Sequence, residues 1–573
     1  MNNKLLAATA VALCLTASQA GSAPTYDLMV RGGEIYDGSG GAPVKGDVAI
    51  NGDRIVCVGA CPGTAAKTVD AHGKAVAPGF INMLSWSNDS LMQDGRGQSE
   101  LRQGVTLEVM GEGTSMGPLT PEMKRLEAQR QGDIKYPITW TTLDEYLRVL
   151  EKKGVSVNVA SFVGAATVRV NVLGESDVDP TPAQLAQMRG LVVKAMEDGA
   201  LGVGSSLIYA PGTFAETDEL VALVTEAGRC GGMYISHMRS EGARLLEATD
   251  EVIDISRRSG APAEIYHLKA AGRDNWGKMD AAIGRIEAAR ASGLRITADM
   301  YTYPASSTGL DAAMPTWVQA GGVEAWIGRL KDPATRARVI EEMRSGSPTF
   351  ENLQRGAGAD GTLLVGFKNP KLKPLTGKTL AQVAKDRGVS PEDAAIDLVI
   401  EDGSRVQVVY FSMSEANVAR QVTLPYMSFG SDAEAQAPED PFTLSSTHPR
   451  AYGNFARLLA KYVRDEKRLS LGEAVRKLSA LPAHNLGLHE RGELKVGNYA
   501  DVVVFDPAKI QDHATFEKPH QFSTGVSEVV VNGQLALANG EPTAARPGKV
   551  VRGRGWTGWK DGGCKPSARD WRW

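Results

Sequence analysis

Between residues 78 and 490 the sequence alternates short apolar runs with longer segments of helical periodicity, and this alternation limits the fold more than any other feature. Apolar strands that alternate with amphipathic helices are typical of βα units around a parallel sheet. Eight such units close into a (β/α)8 TIM-type barrel, which carries its functional residues at the carboxyl ends of the strands. A further apolar run, RVQVVYFSM, competes for the closing position. The eight candidate strands are AVAPGFINML, GVTLEVM, VSVNVASFV, ALGVGSSLI, MYISH, AEIYHLK, LRITADM and YMSFGSD.

The two ends of the chain have a different pattern, with short strands separated by Gly-Asp and Asn-Gly turns. Residues 26–77 and 491–555 each hold too few strands for a good sandwich, so we expect them to form one small β-sandwich domain together. The barrel region, 78–490, contains an excursion at about 318–400 that is rich in Gly, Pro and charge. We interpret it as a lid or a wall of a substrate site. An aromatic and basic tail follows at 556–573.

The first 20 residues are typical of a signal peptide, because a short apolar run follows a basic residue and ends in small residues around Ala20. The sequence therefore predicts an exported protein, periplasmic or secreted, and no stretch is long and apolar enough for a membrane span. In an oxidising compartment Cys57 and Cys61 either form a local disulfide or remain two buried thiols. A net charge of −4 without long runs of one sign gives no indication of a nucleic-acid partner.

Two histidines stand at the exits of neighbouring candidate strands, His237 in the fifth and His267 in the sixth. Side chains from adjacent parallel strands can converge on one ion, and two imidazoles plus one carboxylate leave a fourth position for water. Glu112 after the second strand is the expected carboxylate, with Glu108 as a rival of the same strand parity. Asp432 after the last strand is the expected general base for amide hydrolysis by a metal-activated water.

Each of these residues also has a purely structural interpretation. A histidine at a strand end can be a hydrogen-bonded core residue, Glu112 can cap a turn or pair with a base, and Asp432 can cap a helix. The occurrence of two histidines on adjacent strands favours the metal interpretation.

Longer stretches resemble the amidohydrolase superfamily, in particular its D-aminoacylase (N-acyl-D-amino-acid deacylase) branch. The block LSLGEAVRKLSALPAHNLGLHERGELKVGNYADVVVFDP is similar to segments shared widely across amidohydrolases. The stretches LIYAPG, SHMRSE and YPASST resemble the deacylases more particularly. The resemblance implies one tightly held zinc ion on His237 and His267, with Asp432 as the catalytic residue.

The same resemblance implies which residues hold the substrate. Lys269, Tyr209, Tyr301 and Ser307 fall at positions associated with binding the carboxylate of an amino acid. An ammonium and hydroxyl groups can hold a carboxylate beside a metal and orient the neighbouring amide. The two tyrosines are also compatible with core packing around a satisfied hydroxyl.

The sequence departs from the family pattern at the first strand, where the usual Asp-x-His-x-His positions read Asn82, Leu84 and Trp86. The family's cysteine after the second strand is absent as well, and Glu112 stands in that region between two glycines. We therefore expect a second, weaker metal position to be lost, while Glu112 supplies the third ligand of the tight position. Trp86 is expected to fill the vacated space and form a wall of the pocket.

These observations predict an exported, zinc-dependent amidohydrolase that cleaves the amide bond of N-acyl-D-amino acids, with one Zn2+ per chain. Alternatives are a dipeptidase or cyclic-amide hydrolase on the same fold, and a non-catalytic binding protein with a degraded metal site. The missing first-strand histidines favour the binding protein, whereas the retention of His237, His267 and Asp432 opposes it. The preference for the D configuration is implied by resemblance alone, and the acyl group, side-chain preference and oligomeric state stay open.

Overall fold

The computed structural model describes residues 25–346 and 350–564 of the 573-residue chain, so the predicted signal peptide lies outside the described residues. Within them, eight parallel strands form the predicted barrel, and the run RVQVVYFSM lies elsewhere. The barrel closes where the Met83 amide donates to the Phe429 carbonyl at 3.1 Å and Ser85 bridges to Ala433. The barrel strands are Phe80–Asn82, Val105–Met110, Asn158–Ser161 continued by Val163–Gly164, Gly202–Ser206, Met233–His237, Ala263–Ile265, Ile296–Met300 and Met427–Phe429.

Helices cover the outside of the barrel, and several begin at a side-chain cap. The capping boxes Thr142/Glu145 and Thr181/Gln184 satisfy the free amides at the starts of two of them. The helices between the strands are Ser90–Gln93, Gln98–Leu101, Pro121–Arg130, Leu143–Lys153, Ala165–Leu173, Pro182–Glu197, Thr217–Arg229, Leu245–Ser259, Met279–Ala291 and Glu415–Gln421. Those after the last strand are Arg450–Arg457, Leu458–Asp465, Leu471–Leu478 and Ala480–Asn485.

Side chains fill the barrel interior, and the first strand contributes to this packing. Leu84 is fully buried and belongs to the same apolar cluster as Leu107, Phe162 and Tyr266. Trp86 packs against the edge of that cluster. The first strand therefore places core residues where the family pattern has metal ligands.

Both ends of the chain contribute to one small β domain. Among the described residues its sheet has nine strands, and Val502–Phe505 pairs antiparallel with Ala75–Pro78 where the two ends meet. The remaining strands are Thr25–Ile35, Val44–Asn51, Arg54–Gly59, Thr64–Asp70, Val526–Val531, Gln534–Ala538 and Glu541–Pro542. The barrel and this domain confirm the fold class that the sequence predicted.

The excursion after the seventh barrel strand is wider than the predicted 318–400. It contains an antiparallel sheet of Ser306–Gly309, Thr362–Gly366 and Gln407–Tyr410. Two of these strands, Thr362–Gly366 and Gln407–Tyr410, are apolar and β-branched like barrel strands, so periodicity alone could not separate them. Its helices are Thr316–Gln319, Gly322–Leu330, Pro333–Ser345, Leu353–Ala357, Leu380–Arg387 and Pro391–Asp402.

Two disulfide bonds join the described cysteines. Cys57 pairs with Cys61, as one of the two sequence interpretations held. Cys230, directly after the helix Thr217–Arg229, pairs with Cys564, which is 334 positions further along the chain. The second bond was not predicted, and it fastens the end of the described chain to the barrel. No helix in the described ranges has the length and apolar character to cross a membrane.

Candidate metal centre

Glu112, His237 and His267 lie together at the carboxyl ends of the second, fifth and sixth barrel strands, and all three are buried. Nδ1 of His237 is 3.0 Å from Oε1 of Glu112 and 3.1 Å from Nε2 of His267. Nε2 of His267 is 3.1 Å from the same carboxylate oxygen. We call these three residues the metal triad. The rival Glu108 instead accepts a hydrogen bond from the hydroxyl of Ser85 at 2.7 Å.

The atoms of the metal triad fit a zinc ion. Zinc binds imidazole nitrogen and carboxylate oxygen at about 2.0–2.2 Å, so neighbouring ligands of a tetrahedral site lie about 3.3 Å apart. The three separations of 3.0–3.1 Å come close to this value. Two histidines and one carboxylate also match the three protein ligands of catalytic zinc sites.

Two glycines turn Glu112 toward the histidines. Gly111 has φ +106°, and a Cβ at this position would lie 2.4 Å from the carbonyl oxygen of Phe162. Gly113 has φ +67°, and a Cβ there would lie 2.3 Å from Cβ of Ser206. Only glycine accepts both this backbone conformation and this close approach without strain. The GEG sequence thus lets the chain bend between two barrel strands and direct one carboxylate inward.

The backbone of two functional candidates is also unusual. His267 has φ +35° and Asp432 has φ +49°, values that residues other than glycine seldom adopt. The amide of His267 donates to Oδ1 of the buried Asp299 at 2.7 Å, which helps to hold the turn. Such conformations persist where the surrounding structure enforces them, commonly at functional sites.

A fourth residue, Glu241, contacts both histidines from the side opposite Glu112. Its Oε1 is 3.0 Å from Nδ1 of His267 and 2.6 Å from the ammonium of Lys269. Its Oε2 is 3.6 Å from Nε2 of His237. Each histidine therefore turns one ring nitrogen toward Glu112 and the other toward Glu241. A carboxylate in this position orients metal-binding imidazoles and increases their basicity.

Buried groups of opposite charge set one another's pKa values in this cluster. Burial and the charge of Lys269 lower the pKa of His267, but Glu241 and Glu112 raise it overall to about 10. Burial works against ionisation of Glu112, yet its hydrogen bonds to both histidines hold its pKa well below the usual range. Burial also opposes the charge of Glu241, and the neighbouring His237 and Lys269 keep its pKa low. Two ionised carboxylates in a buried site require positive charge nearby.

Asp432 lies in the same cavity as the metal triad. Its carboxylate accepts a hydrogen bond from Nε1 of Trp86 at 3.0 Å and forms an ion pair with Nη2 of Arg450 at 2.9 Å. Burial raises the pKa of Asp432 above its ordinary value, and the Arg450 charge opposes this rise. A raised pKa suits a carboxylate that has to accept and return a proton near neutral pH.

The cavity has a volume of about 800 Å³ and reaches from the metal triad to the excursion. Lys269, Tyr209 and Ser307 line it, as does Trp86, in agreement with its expected place in the wall. The Tyr209 ring lies beside His237 with the ring centres 5.2 Å apart. The hydroxyl of Ser307 donates to the carbonyl of Val408 at 2.9 Å.

Tyr301 has a different environment from the other predicted substrate-binding residues. Its ring lies 4.5 Å from the guanidinium carbon of Arg450, and its hydroxyl is 3.3 Å from the sulfur of Met413. It is 1% exposed and is not among the residues that line the cavity. Tyr301 therefore packs against the guanidinium of Arg450 and does not face the cavity.

Sequence reasoning missed Glu241 and Arg450. Arg450 is buried and lines the cavity, and its Nε and Nη1 have no hydrogen-bond partner among the described residues. Glu241 stands in the stretch SHMRSE after the fifth barrel strand, and Arg450 stands in THPRAYG at the start of the helix Arg450–Arg457. Their charge near the strand exits was the available signal. What the sequence could not supply was the distance from either side chain to the histidines or to Asp432.

A (β/α)8 barrel with a buried His-His-Glu group and an aspartate at its strand exits defines a metal-dependent hydrolase of the barrel class. Residues 67–536 match the model of the amidohydrolase family, and the chain belongs to this family. The N-acyl-D-glutamate deacylase of Alcaligenes xylosoxydans xylosoxydans is 33% identical over 529 residues, which cover 92% of this chain and 96% of the relative.

Solved structures agree with this assignment. The N-acyl-D-glutamate deacylase from Bordetella bronchiseptica, in complex with zinc and a phosphonate inhibitor, is 30% identical with a TM-score of 0.75. A D-aminoacylase with a binuclear metal centre, described by one-metal activation and second-metal attenuation, is 29% identical with a TM-score of 0.77. Each match covers 92% of this chain and 100% of the other. The chain is thus a metal-dependent amidohydrolase that acts on carbon–nitrogen amide bonds.

Proposed function

We propose that this protein is a zinc-dependent deacylase of N-acyl-D-amino acids that holds one zinc ion on Glu112, His237 and His267. The observation that carries the proposal is the convergence of these three ligand atoms within 3.0–3.1 Å of one another, in the cavity that Asp432 also lines. A zinc ion bound there would polarise the substrate carbonyl and lower the pKa of water.

Asp432 is the residue we assign to proton transfer. Its carboxylate is held by the Trp86 indole and the Arg450 guanidinium and lines the same cavity as the metal triad. Asp432 accepts the proton of the attacking water and passes it to the amide nitrogen as the carbon–nitrogen bond breaks. The products are a carboxylic acid and a free amino acid, which balances the one water consumed.

The cationic residues of the cavity wall provide the site for the substrate carboxylate. Lys269 uses part of its hydrogen-bonding capacity on Glu241, at 2.6 Å, and lies 2.8 Å from Nδ1 of His267. Two nitrogens of the Arg450 guanidinium, Nε and Nη1, have no hydrogen-bond partner in the described part of the chain. We therefore assign the carboxylate to Lys269 and Arg450 together, with Tyr209 and Ser307 in the wall and Tyr301 beneath Arg450.

The substrate class rests on the relatives. The two deacylases matched above act on N-acyl-D-glutamate by name, and a third relative is a D-aminoacylase, 31% identical over 93% of this chain. These names support an N-acylated amino acid of D configuration. A dipeptidase, a cyclic-amide hydrolase and a binding protein remain alternatives that an assay separates.

We also propose that the protein is exported. The support is the signal-like sequence up to Ala20 together with the two disulfide bonds, Cys57–Cys61 and Cys230–Cys564. Disulfides form and persist in oxidising compartments such as the bacterial periplasm.

The test is a substrate screen on purified protein. N-acetyl-D- and N-acetyl-L-amino acids, D-containing dipeptides and cyclic amides are assayed with and without a chelator, and zinc is counted per chain. We expect one zinc, chelator-sensitive release of D-amino acids, and loss of both zinc and activity in His237→Ala. His513→Ala is the control, because His513 is exposed and bonds the Thr524 hydroxyl at 2.9 Å in the small β domain. A protein that binds no zinc, or that hydrolyses none of these compounds, would contradict the proposal.

A further inference from the structure

The carboxylate of Asp432 is held at both of its oxygen atoms. The indole N–H of Trp86 donates to Oδ1 at 3.0 Å, and Nη2 of Arg450 forms an ion pair with Oδ2 at 2.9 Å. The Asp432 side chain is 11% exposed and that of Arg450 is 3% exposed, so bulk water competes little with either contact. A hydrogen bond on one oxygen and an ion pair on the other leave the carboxylate with a single favoured orientation in the cavity.

The backbone fixes the indole relative to this carboxylate. The Asp432 amide donates to the Leu84 carbonyl at 2.9 Å, and the Trp86 amide donates to the Ala433 carbonyl at 3.0 Å. These bonds belong to the contact that closes the barrel between its first and last strands. The Trp86 ring also packs against the apolar cluster of the barrel interior. The closure thus fixes the backbone of Trp86 relative to Asp432, and the packing of the ring restrains the direction of the indole N–H.

The first-strand residues are also unable to bind a cation. Leu84 has no polar side-chain atom, and an indole N–H is a donor without a lone pair for a metal. The hydrogen that Trp86 directs at Asp432 carries partial positive charge, so it repels a cation from the same oxygen. A second cation on Asp432 would lie beside the Trp86 N–H and the Arg450 guanidinium, and both oppose its charge.

On the basis of the function proposed above, we propose that Trp86 is a positioning residue that replaces a second metal ion. Its N–H and Arg450 orient Asp432 beside the metal triad, and its ring occupies the first-strand position at which the family has a histidine. The protein then works with one ion at every metal concentration. It lacks the second-metal attenuation described for the D-aminoacylase with the binuclear centre.

The first experiment counts zinc. Metal-free protein is dialysed against increasing zinc, and bound zinc is measured by mass spectrometry beside activity. We expect the wild type to bind no more than one zinc per chain and to keep its activity when zinc is in about 100-fold excess over protein. The variant Leu84→His/Trp86→His is expected to take up a second zinc and to lose activity as zinc rises. Because Leu84 is fully buried, Trp86→His alone serves if the double variant does not fold.

The second experiment removes only the indole N–H. Trp86→Phe keeps an aromatic ring in the wall, and we expect kcat to fall about 10- to 100-fold, because a misoriented base slows the chemical step. The KM and the zinc Kd of this variant should stay within about threefold of the wild-type values. Trp317→Phe is the matched control, because Trp317 donates its indole N–H to Glu342 at 3.1 Å and does not line the cavity.

The outcomes separate this inference from the proposed function. A wild type that binds no zinc overturns the proposed function and the inference with it. A wild type that hydrolyses substrate with one zinc, while Trp86→Phe keeps its kcat, overturns the inference alone. The same holds if the wild type binds a second zinc, if neither histidine variant gains one, or if Trp86→Phe loses zinc and thermal stability together.

Discussion

Replacing Glu241 by glutamine tests how the two histidines are held for metal binding. The substitution keeps the size of the side chain and removes its negative charge. Glu241 is 2% exposed, and its carboxylate lies 3.0 Å from Nδ1 of His267 and 3.6 Å from Nε2 of His237. The same carboxylate accepts a hydrogen bond from Lys269 at 2.6 Å. One charge therefore serves both imidazoles and one ammonium.

The expected magnitude follows from these contacts. Loss of a carboxylate behind one metal-binding histidine typically weakens metal affinity about 10- to 100-fold. Because Glu241 is close to both histidines, we expect the upper part of this range for Glu241→Gln. A factor of about 100 corresponds to about 2.7 kcal/mol of binding free energy.

The assay is a competition for zinc between the metal-free protein and a chromophoric chelator at neutral pH. Glu251→Gln is the matched control. Glu251 forms an ion pair at 2.9 Å with Arg239, which follows His237 by two residues, and Glu251 contacts neither imidazole. Thermal melting of the metal-free proteins checks that each variant folds. A zinc Kd for Glu241→Gln within about threefold of the wild type would refute the reasoning.

Three further predictions concern stability and the local backbone. Burial and then the charge of Glu241 raise the pKa of Glu351 to about 7. The folded state thus keeps this proton longer than the unfolded state, and the wild type loses stability as pH rises from about 4.5 through about 7. In urea unfolding, the free energy of unfolding of Glu351→Gln should increase relative to that of the wild type by up to about 3 kcal/mol between about pH 5 and about pH 8. A difference between the two proteins that stays constant over this range contradicts the prediction. Cys564→Ser should lower unfolding stability by about 2–4 kcal/mol, because the lost bond links residues 334 positions apart, and reductant should bring the wild type to a similar midpoint. Gly111→Ala should cost about 1–3 kcal/mol and reduce zinc occupancy, because its φ is +106° and a backbone carbonyl is 2.4 Å away. The control is Gly190→Ala, in a helix with open space around this glycine, and it should leave the free energy of unfolding unchanged or increase it. Equal losses of stability in the two variants would argue against strain at Gly111.

Periodicity and strand-exit positions predicted much of this molecule. The eight barrel strands could be located because each combines an apolar run with a following helical segment, and those rules depend on local sequence. The approach of Glu112, His237 and His267 followed from their positions at strand exits, because such ends meet at one face of a barrel. The roles of the three as ligands, and of Asp432 as base, stay predictions.

Features that depend on distant parts of the chain were not predictable in this way. The bond of Cys230 to Cys564 depends on the path of the C-terminal segment back to the barrel, which no local pattern encodes. The contact of Trp86 with Asp432 depends on how the first strand closes against the last. Glu241 could be seen as a loop carboxylate, but its distance to two imidazoles depends on the packing of three strand exits.

The pairing of Ala75–Pro78 with Val502–Phe505 has a consequence for the order in which the molecule assembles. A strand from near the start of the chain cannot complete its hydrogen bonds until a segment from near the other end arrives, and until then its edge is open to other chains. Shortened products that stop before Val502 should therefore aggregate rather than persist as soluble barrels. When synthesis or transport proceeds from the amino end, this strand edge stays unpaired until the C-terminal segment arrives, so the risk of aggregation lasts almost until folding is complete.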